Sequence, residues 1–593
     1  MQYSIQIHSI SDLLNQSNEM KNRLLASANT IKIEVTYERK WRRILMTNTT
    51  KTSEAVLTSE DKMARGSAWM TAGNIGSRLL GVAYILPWYY WLGENAEVGN
   101  ALFNIGYTVY SLFIMVATAG IPSAIAKQVA YHNSRQEYKT SQKLFLRSVQ
   151  LMGIFGVVSA ALMYFLAPVL AHGAGGGADL IPTMRSLSVA LLIIPVMSVI
   201  RGYFQGVQQM APFAISQLLE QIARVAYILI ATFSIMKLGS GNYLSAVTQS
   251  TFAAFIGAIA GLAVLLYYFR KEKRKMDILA EHSKEVVQIN TMNLLISTVK
   301  EAIPFIILGS GITIYKLWDQ FTFVRVMEGF TNYSQKQLMS LMALFNGNPD
   351  KLAMVVIGLA TSMAIVGLPL VTEAFAKKDK VGMARLVSNN FQLYMFVMMP
   401  ATFGMMLLAY PLNTLFYNPD KLGASLLVYV CLSGLVQGFF MVSSVMLQGL
   451  YENGAALLYF AIGMVVKIAT QSVSIHLLES YGPILSTTLG LAVTCYLTVR
   501  KIHQKTRFNV ALTMKRIALI TLMTVAMIVT AGLSRLIFGL FLSTESKTQS
   551  FVLVIIVAAV GGLTYVYLAL KTRLADKLLG AGMARFRNKL RIK

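Results

Sequence analysis

The chain has 593 residues, 55% of them hydrophobic and 13% charged, with a mean hydropathy of +0.55. A water-soluble domain of that composition would expose very large apolar patches, so a soluble fold is excluded and the bilayer is read as the solvent. The net charge of +26 does not indicate a nucleic-acid partner, because the Lys and Arg residues sit in alternate loops instead of on one domain.

Residues 1–62 are expected to form a cytoplasmic N-terminal segment, without the charged, apolar and small-residue plan of a signal peptide. Trp41 is encoded TGG, and with Arg42 as AGG the pair reads as a ribosome-binding site upstream of Met46. Initiation at Met46, with 1–45 untranslated, is therefore an expectation. A membrane-crossing helix needs about 20 mainly apolar residues. Fourteen such windows are read, at 67–92, 101–126, 144–170, 183–206, 211–236, 243–269, 294–314, 352–376, 388–412, 424–449, 455–478, 482–503, 517–540 and 551–570.

Every second loop is basic: Lys127, Arg135, Lys139 and Lys143; Arg270, Lys271 and Lys273; Lys377, Lys378 and Lys380; Arg500, Lys501 and Lys505. By the positive-inside rule these loops and both termini are cytoplasmic. Residues 318–350 are expected to form one long external loop. The segment 571–593 carries eight basic residues with Leu578, Leu579 and Phe586, which suits either a helix on anionic lipid or a solvated basic tail. Cys431 and Cys495 fall inside apolar stretches and carry no disulfide or metal expectation.

Two short segments repeat. Gly120-Ile121-Pro122 before Lys127 matches Gly367-Leu368-Pro369 before Lys377, and Gln205-Gly206 matches Gln448-Gly449. A unit of six helices keeps both halves in one orientation, a parallel repeat about the membrane normal. The expected domains are 63–290 (helices 1–6), 291–505 (helices 7–12), 506–572 (helices 13 and 14) and a basic tail, 573–593.

An ionised side chain at mid-bilayer costs roughly 2.5–3.5 kcal/mol, so each needs a partner or a watered cavity. Arg78 lies eleven residues into the first helix, about 16 Å deep, without a local carboxylate. Arg224 and Lys467 lie at similar depth in the fifth and eleventh helices, at repeat-equivalent positions. With Glu220 and Arg201 they are the candidate substrate-binding set. Glu220 and Arg224, spaced i, i+4, also fit simple mutual neutralisation, and Arg201 also fits snorkelling to the cytoplasmic end. Lys300, Glu301, Lys316, Asp319 and Glu373 are gating or pairing candidates, with Lys316 and Asp319 expected to pair at the external boundary.

The excess of cations points to an anionic ligand, and arginine binds phosphate oxygens bidentately. No phosphate-binding Gly-rich loop, His-Glu-x-x-His or acidic metal cluster occurs in the sequence, so a transporter is expected instead of an enzyme, with no cofactor. Membrane potential or a coupled ion would drive it.

Four motifs carry a resemblance: Ser77-Arg78-Leu79-Leu80-Gly81; Arg201-Gly202-Tyr203-Phe204-Gln205-Gly206; 217–225, which holds Glu220 and Arg224; and 369–377, which holds Glu373. Over 62–570 the chain resembles the polysaccharide-biosynthesis branch of the multidrug/oligosaccharidyl-lipid/polysaccharide (MOP) exporter superfamily, which holds stage V sporulation protein B and the MurJ-type lipid II flippases. The resemblance implies an all-α polytopic fold of fourteen transmembrane helices, MATE/MurJ-like, with two six-helix lobes around a cationic cavity. It implies alternating access and transport of an undecaprenyl-linked anionic glycan across the bacterial cytoplasmic membrane. Lipid II is the first expectation, a capsule or teichoic-acid unit the second and a multidrug antiporter the third. Cell-wall synthesis proteins are expected partners. By the same resemblance Arg78 contacts the diphosphate. Many MurJ proteins carry a further arginine three residues after Gly81, where this chain has Tyr84, and the Gram-positive type is the nearer match.

Overall fold

The computed structural model describes residues 76–77, 80–81, 84–118, 121–207, 209–281, 283, 303–354, 356–358, 371–372, 374–375, 377–579, 583 and 587–589. No strand occurs among them. A helix satisfies its backbone N–H and C=O groups internally, which a segment without water around it requires.

The first lobe runs through α1 (Ile85–Leu92), α2 (Ala96–Thr118), α3 (Ile121–Ser134), α4 (Tyr138–Gly173), α5 (Leu180–Ala190), α6 (Ile194–Gly206), α7 (Met210–Phe233) and α8 (Tyr243–Glu281). The second holds α9 (Gly311–Glu328), α10 (Gln335–Met342), α11 (Lys380–Leu407), α12 (Ala409–Phe416), α13 (Lys421–Gly449), α14 (Asn453–Leu478) and α15 (Gly482–Thr506). Helices α16 (Val510–Gly539) and α17 (Lys547–Lys571) follow, with the short α18 (Leu574–Leu579). Nine segments among the described residues are long and apolar enough to cross a membrane, or ten if the bent pair α11–α12 is one span. One of the nine, Asn453–Thr506, contains both α14 and α15. The expected seventh and eighth helices fall partly on residues outside the described set.

Two breaks have identifiable causes. The expected fourth helix, 183–206, divides into α5 and α6 because Pro195 lacks an N–H and its ring crowds the carbonyl of Leu191. Gly156 of α4 packs on that freed carbonyl, where an added Cβ would stand 2.8 Å from Leu191 O. Between α11 and α12 the chain bends by 73°. Pro411 cannot donate to the carbonyl of Leu407, and Arg535 of α16 supplies the missing donor, Nη1 to O at 2.5 Å.

The expected external loop 318–350 is corrected. Its first part continues α9 to Glu328, and α10 and a π-helical turn, Ala343–Gly347, follow. The polar residues at Asp319 and Gln320 end the apolar run but not the helical period. Asp319, Phe323 and Met327 recur at four-residue spacing and are all buried.

One buried apolar core extends through both lobes. Two smaller clusters seat α16 and α17 against α11 and α12, one around Phe396, Ile520 and Tyr565, the other around Leu408, Ala531 and Leu553. Tyr565 OH also donates to Phe396 O at 2.7 Å. Leu574 and Ala575 of α18 are buried and Leu578 packs on the first cluster, so the basic tail begins as a helix docked on protein. Large apolar side chains such as Phe165, Leu522, Leu536 and Leu563 remain outside the packed interior, as lipid-facing residues do.

Candidate functional site

In the first lobe the expected cations assemble around one carboxylate. Glu220 and Arg224 lie one turn apart on α7, and Arg224 Nη2 donates to Glu220 Oε1 at 2.7 Å. Arg201 Nη2 donates to Glu220 Oε2 at 2.9 Å, and Arg201 Nε to Ser216 Oγ at 3.0 Å. Snorkelling of Arg201 is thereby corrected: a carboxylate within the protein holds it more closely than the interface could. Gly257 and Gly261 of α8 permit this packing. A Cβ on Gly257 would stand 2.7 Å from Glu220 O, so only glycine lets α8 approach α7 at this level.

The charges do not cancel. Two guanidinium groups share one carboxylate, leaving one positive charge in excess. Arg224 Nε has no hydrogen-bond partner among the described residues, and neither has the phenol of Tyr110. Tyr84, Tyr107 and Tyr110 stand within electrostatic reach of Arg224. The result is a cationic patch whose unused donors are buried, so that an anion admitted to it would find donors waiting. A separate cavity of about 350 Å³ opens between Tyr138, Gln142, Tyr203 and Lys275, and no member of the triad lines it.

The second lobe is built differently. Lys467 is wholly buried and its Nζ donates to Asp319 Oδ1 at 2.7 Å and to Thr487 Oγ1 at 2.6 Å. Gln471, one turn further along α14, donates to the same Asp319 oxygen at 2.8 Å. Glycines again set the geometry. At the α14–α15 crossing a Cβ on Gly463 would stand 2.5 Å from Gly490 O, and one on Gly490 2.5 Å from Gly463 O. Lys467 is one turn beyond Gly463 and Thr487 three residues before Gly490, so the crossing presses them together. Lys467 is thus neutralised within its lobe and adds no free charge in this conformation.

The expected Lys316–Asp319 pair is also corrected. Asp319 faces Lys467, and Lys316 instead pairs with Asp350. A carboxylate buried to this degree requires a cation equally buried, and among the described residues Lys467 supplies it. Arg78, Lys300, Glu301 and Glu373 lie outside the described residues. Sequence reading missed Thr487 and Gln471, although Gln471 at i+4 from Lys467 was a usable signal. It also missed Lys351, whose ammonium lies among aromatic rings between the lobes.

The polysaccharide biosynthesis protein family matches residues 63–375. Lipid II flippase MurJ of Bacillus subtilis (strain 168) is 31% identical over 539 residues, covering 88% of this chain and 98% of that protein. Stage V sporulation protein B of the same organism is 28% identical over 215 residues, 36% of this chain and 40% of that protein. Among solved structures, an inward-facing MATE-family multidrug transporter of the MOP superfamily aligns with TM-score 0.58 at 15% identity, over 72% of this chain and 94% of its own. An inward closed lipid II flippase MurJ aligns with TM-score 0.57 at 14% identity, over 86% and 99%. These two share the fold, and the sequence relatives place the chain more narrowly. The chain is a multi-pass membrane protein and belongs to the polysaccharide biosynthesis protein family.

Proposed function

We propose that the chain is a flippase that carries a lipid-linked anionic cell-wall precursor, lipid II, from the inner to the outer leaflet of the bacterial cytoplasmic membrane by alternating access. The observation that carries this reading is the uncancelled charge at Arg201, Glu220 and Arg224, with Arg224 Nε left without a partner among the described residues. The 31% identity to a lipid II flippase along nearly all of that protein supports the choice of substrate.

Arg224 would meet the diphosphate through its buried, unpartnered Nε once the lobes part, with the phenol of Tyr110 as a second donor and, as the family resemblance implies, Arg78 as a further cation. Glu220 orients both guanidinium groups and prevents them from repelling one another while the site is empty. Each charge-assisted hydrogen bond formed contributes about 1.5–3 kcal/mol, enough for a few to capture a headgroup. Membrane potential, worth about 2.3 kcal/mol per charge per 100 mV, would reset the empty cationic cavity between faces. No cofactor is required by this scheme, and the basic loops and both termini face the cytoplasm.

Depletion of the protein in its host, followed by a probe that reaches only outer-leaflet lipid II, tests the substrate. Loss of outer lipid II with inner accumulation is expected, and Arg224→Ala should fail to restore it while remaining membrane-inserted. Arg224→Lys should restore it poorly, because an ammonium lacks the planar fork. An unchanged lipid II distribution in depleted cells would move the assignment to another lipid-linked glycan.

A further inference from the structure

Lys351 stands at the start of the helical segment that follows the π-helical turn Ala343–Gly347, in the second lobe, yet its side chain ends in the first. Its Nζ donates to Asn100 Oδ1 at 2.6 Å. The same nitrogen lies 5.0 Å from the ring centroid of Phe103, 5.4 Å from Trp88 and 6.0 Å from Tyr84. All three rings and Asn100 belong to the first two membrane segments, and the rings are fixed by their own contacts. The indole of Trp88 donates to Ser250 Oγ of α8 at 2.9 Å, and Trp88 and Phe103 pack at 5.5 Å.

Around the cage the lobes are joined by further contacts. Asn100 Nδ2 donates to Asn348 Oδ1, Gln320 Nε2 to Ile105 O at 3.4 Å, and Gln335 Nε2 to Gly175 O. Tyr89 meets Tyr417 edge-on at 5.2 Å, and Tyr417 OH holds the carbonyl of Asn348 at 2.8 Å. An added Cβ on Gly347 would stand 2.6 Å from Asn104 Nδ2, so the seam is closed to contact distance. Tyr89, Asn100, Gly175, Gln335 and Tyr417 lie near loops that carry few basic residues, at helix ends opposite the Lys- and Arg-rich loops, and the other contacts lie within three turns of them.

We propose that Lys351 is the latch of an external gate: its ammonium, seated in the cage of Tyr84, Trp88, Phe103 and Asn100, holds the lobes shut on the outer side and must withdraw for that side to open. The chemistry suits a reversible closure. A carboxylate receptor would be left as a buried unpaired charge each time the lysine departed. An aromatic cage and a neutral amide leave no such charge, while the departing ammonium passes to water. Asp350, the adjacent carboxylate, is engaged by Lys316 of its own lobe and so does not hold Lys351 back. The proposal rests on the two-lobe transport reading above, and the outward assignment rests on the loop charges.

The test places a thiol in the seam. In a background with Cys431 and Cys495 replaced by alanine, Asn104→Cys faces Gly347. One of the side-chain bonds lost with Asn104 reaches Asn100 Oδ1, the acceptor of Lys351, so every rate is compared within the Asn104→Cys background, where the three rings are unchanged. Alkylation by a membrane-impermeant maleimide added to intact cells should be slow with Lys351 present. It should be roughly tenfold faster or more in Lys351→Gln and in Trp88→Leu, and slow again in Lys351→Arg, whose guanidinium also binds ring faces. Equal rates in the parent and Lys351→Gln, with both monodisperse, would overturn the latch. The same pair is alkylated in detergent, where both ends are reachable. A rise there without a rise in cells would support the latch and overturn the outward assignment.

Discussion

The Lys467–Asp319 pair tests whether Lys467 serves the fold or the proposed substrate site. Lys467 is wholly buried, and the Asp319 side chain is 7% exposed. Lys467→Met removes the ammonium and leaves the carboxylate with Gln471 Nε2 at 2.8 Å and Thr487 Oγ1 at 3.3 Å as its donors. Two neutral donors do not balance a desolvated carboxylate, and breaking a buried pair in this way costs about 3–5 kcal/mol. Asp319→Asn strands the lysine and should cost a similar amount. The double variant Lys467→Met/Asp319→Leu leaves no charge. Gln471 keeps Thr322 at 3.3 Å and the hydroxyl of Ser486, so the double variant should lie within about 2 kcal/mol of the parent. Thermal denaturation in detergent, read by the surviving monodisperse fraction, gives the order: parent and double variant together, both single variants well below. Single-variant losses that simply add in the double would refute the pair as the stabilising unit. A Lys467→Met protein of parental stability that no longer transports would return Lys467 to the substrate.

The α14–α15 crossing gives a second expectation. A methyl group on Gly463 would stand 2.0 Å from Thr494 Oγ1 and 2.5 Å from the carbonyl of Gly490, so Gly463→Ala should separate the helices and cost about 1–3 kcal/mol or more, seen as a lower denaturation midpoint. Arg535→Leu should leave the Leu407 carbonyl at the α11–α12 bend without its donor, a loss of about 1–3 kcal/mol in the same assay, while Arg535→Lys recovers part of it.

What could be read from the sequence follows from which forces are local. The spanning helices depend on apolar length alone, and α7, α13, α16 and α17 lie close to the expected windows. Glu220 and Arg224 pair as their i, i+4 spacing permits. The partner of Asp319 was not legible, because Lys467 lies 148 residues away and only the folded lobe brings the two together. Lys316 at i−3 was the local alternative. The expected loop 318–350 failed for the related reason that a charge in an apolar run reads as a boundary until its partner is known. The bends were half legible: Pro195 and Pro411 are visible in the sequence, but Gly156 and Arg535, which accommodate the freed carbonyls, belong to other helices.

The two lobes carry repeat-equivalent cations and use them in opposite ways. Lys467 is balanced one to one by Asp319 on a neighbouring helix, and its remaining donors are taken by Thr487 and Gln471. A group so satisfied gains little from an arriving anion, which would have to break an existing pair. Arg224 shares its carboxylate with Arg201 and keeps Nε unsatisfied, so an anion entering there forms a bond without breaking one. On the proposed function, attraction for a phosphate would be concentrated on the first lobe, with the second as the body against which it rocks. The Lys351 cage suits that division. It reaches from the second lobe into the first two segments of the first, and Tyr84, one of its rings, is also an electrostatic neighbour of Arg224. An anion drawing on Arg224 acts close to the wall of the cage, so headgroup binding and release of the latch share a side chain through which one can bias the other.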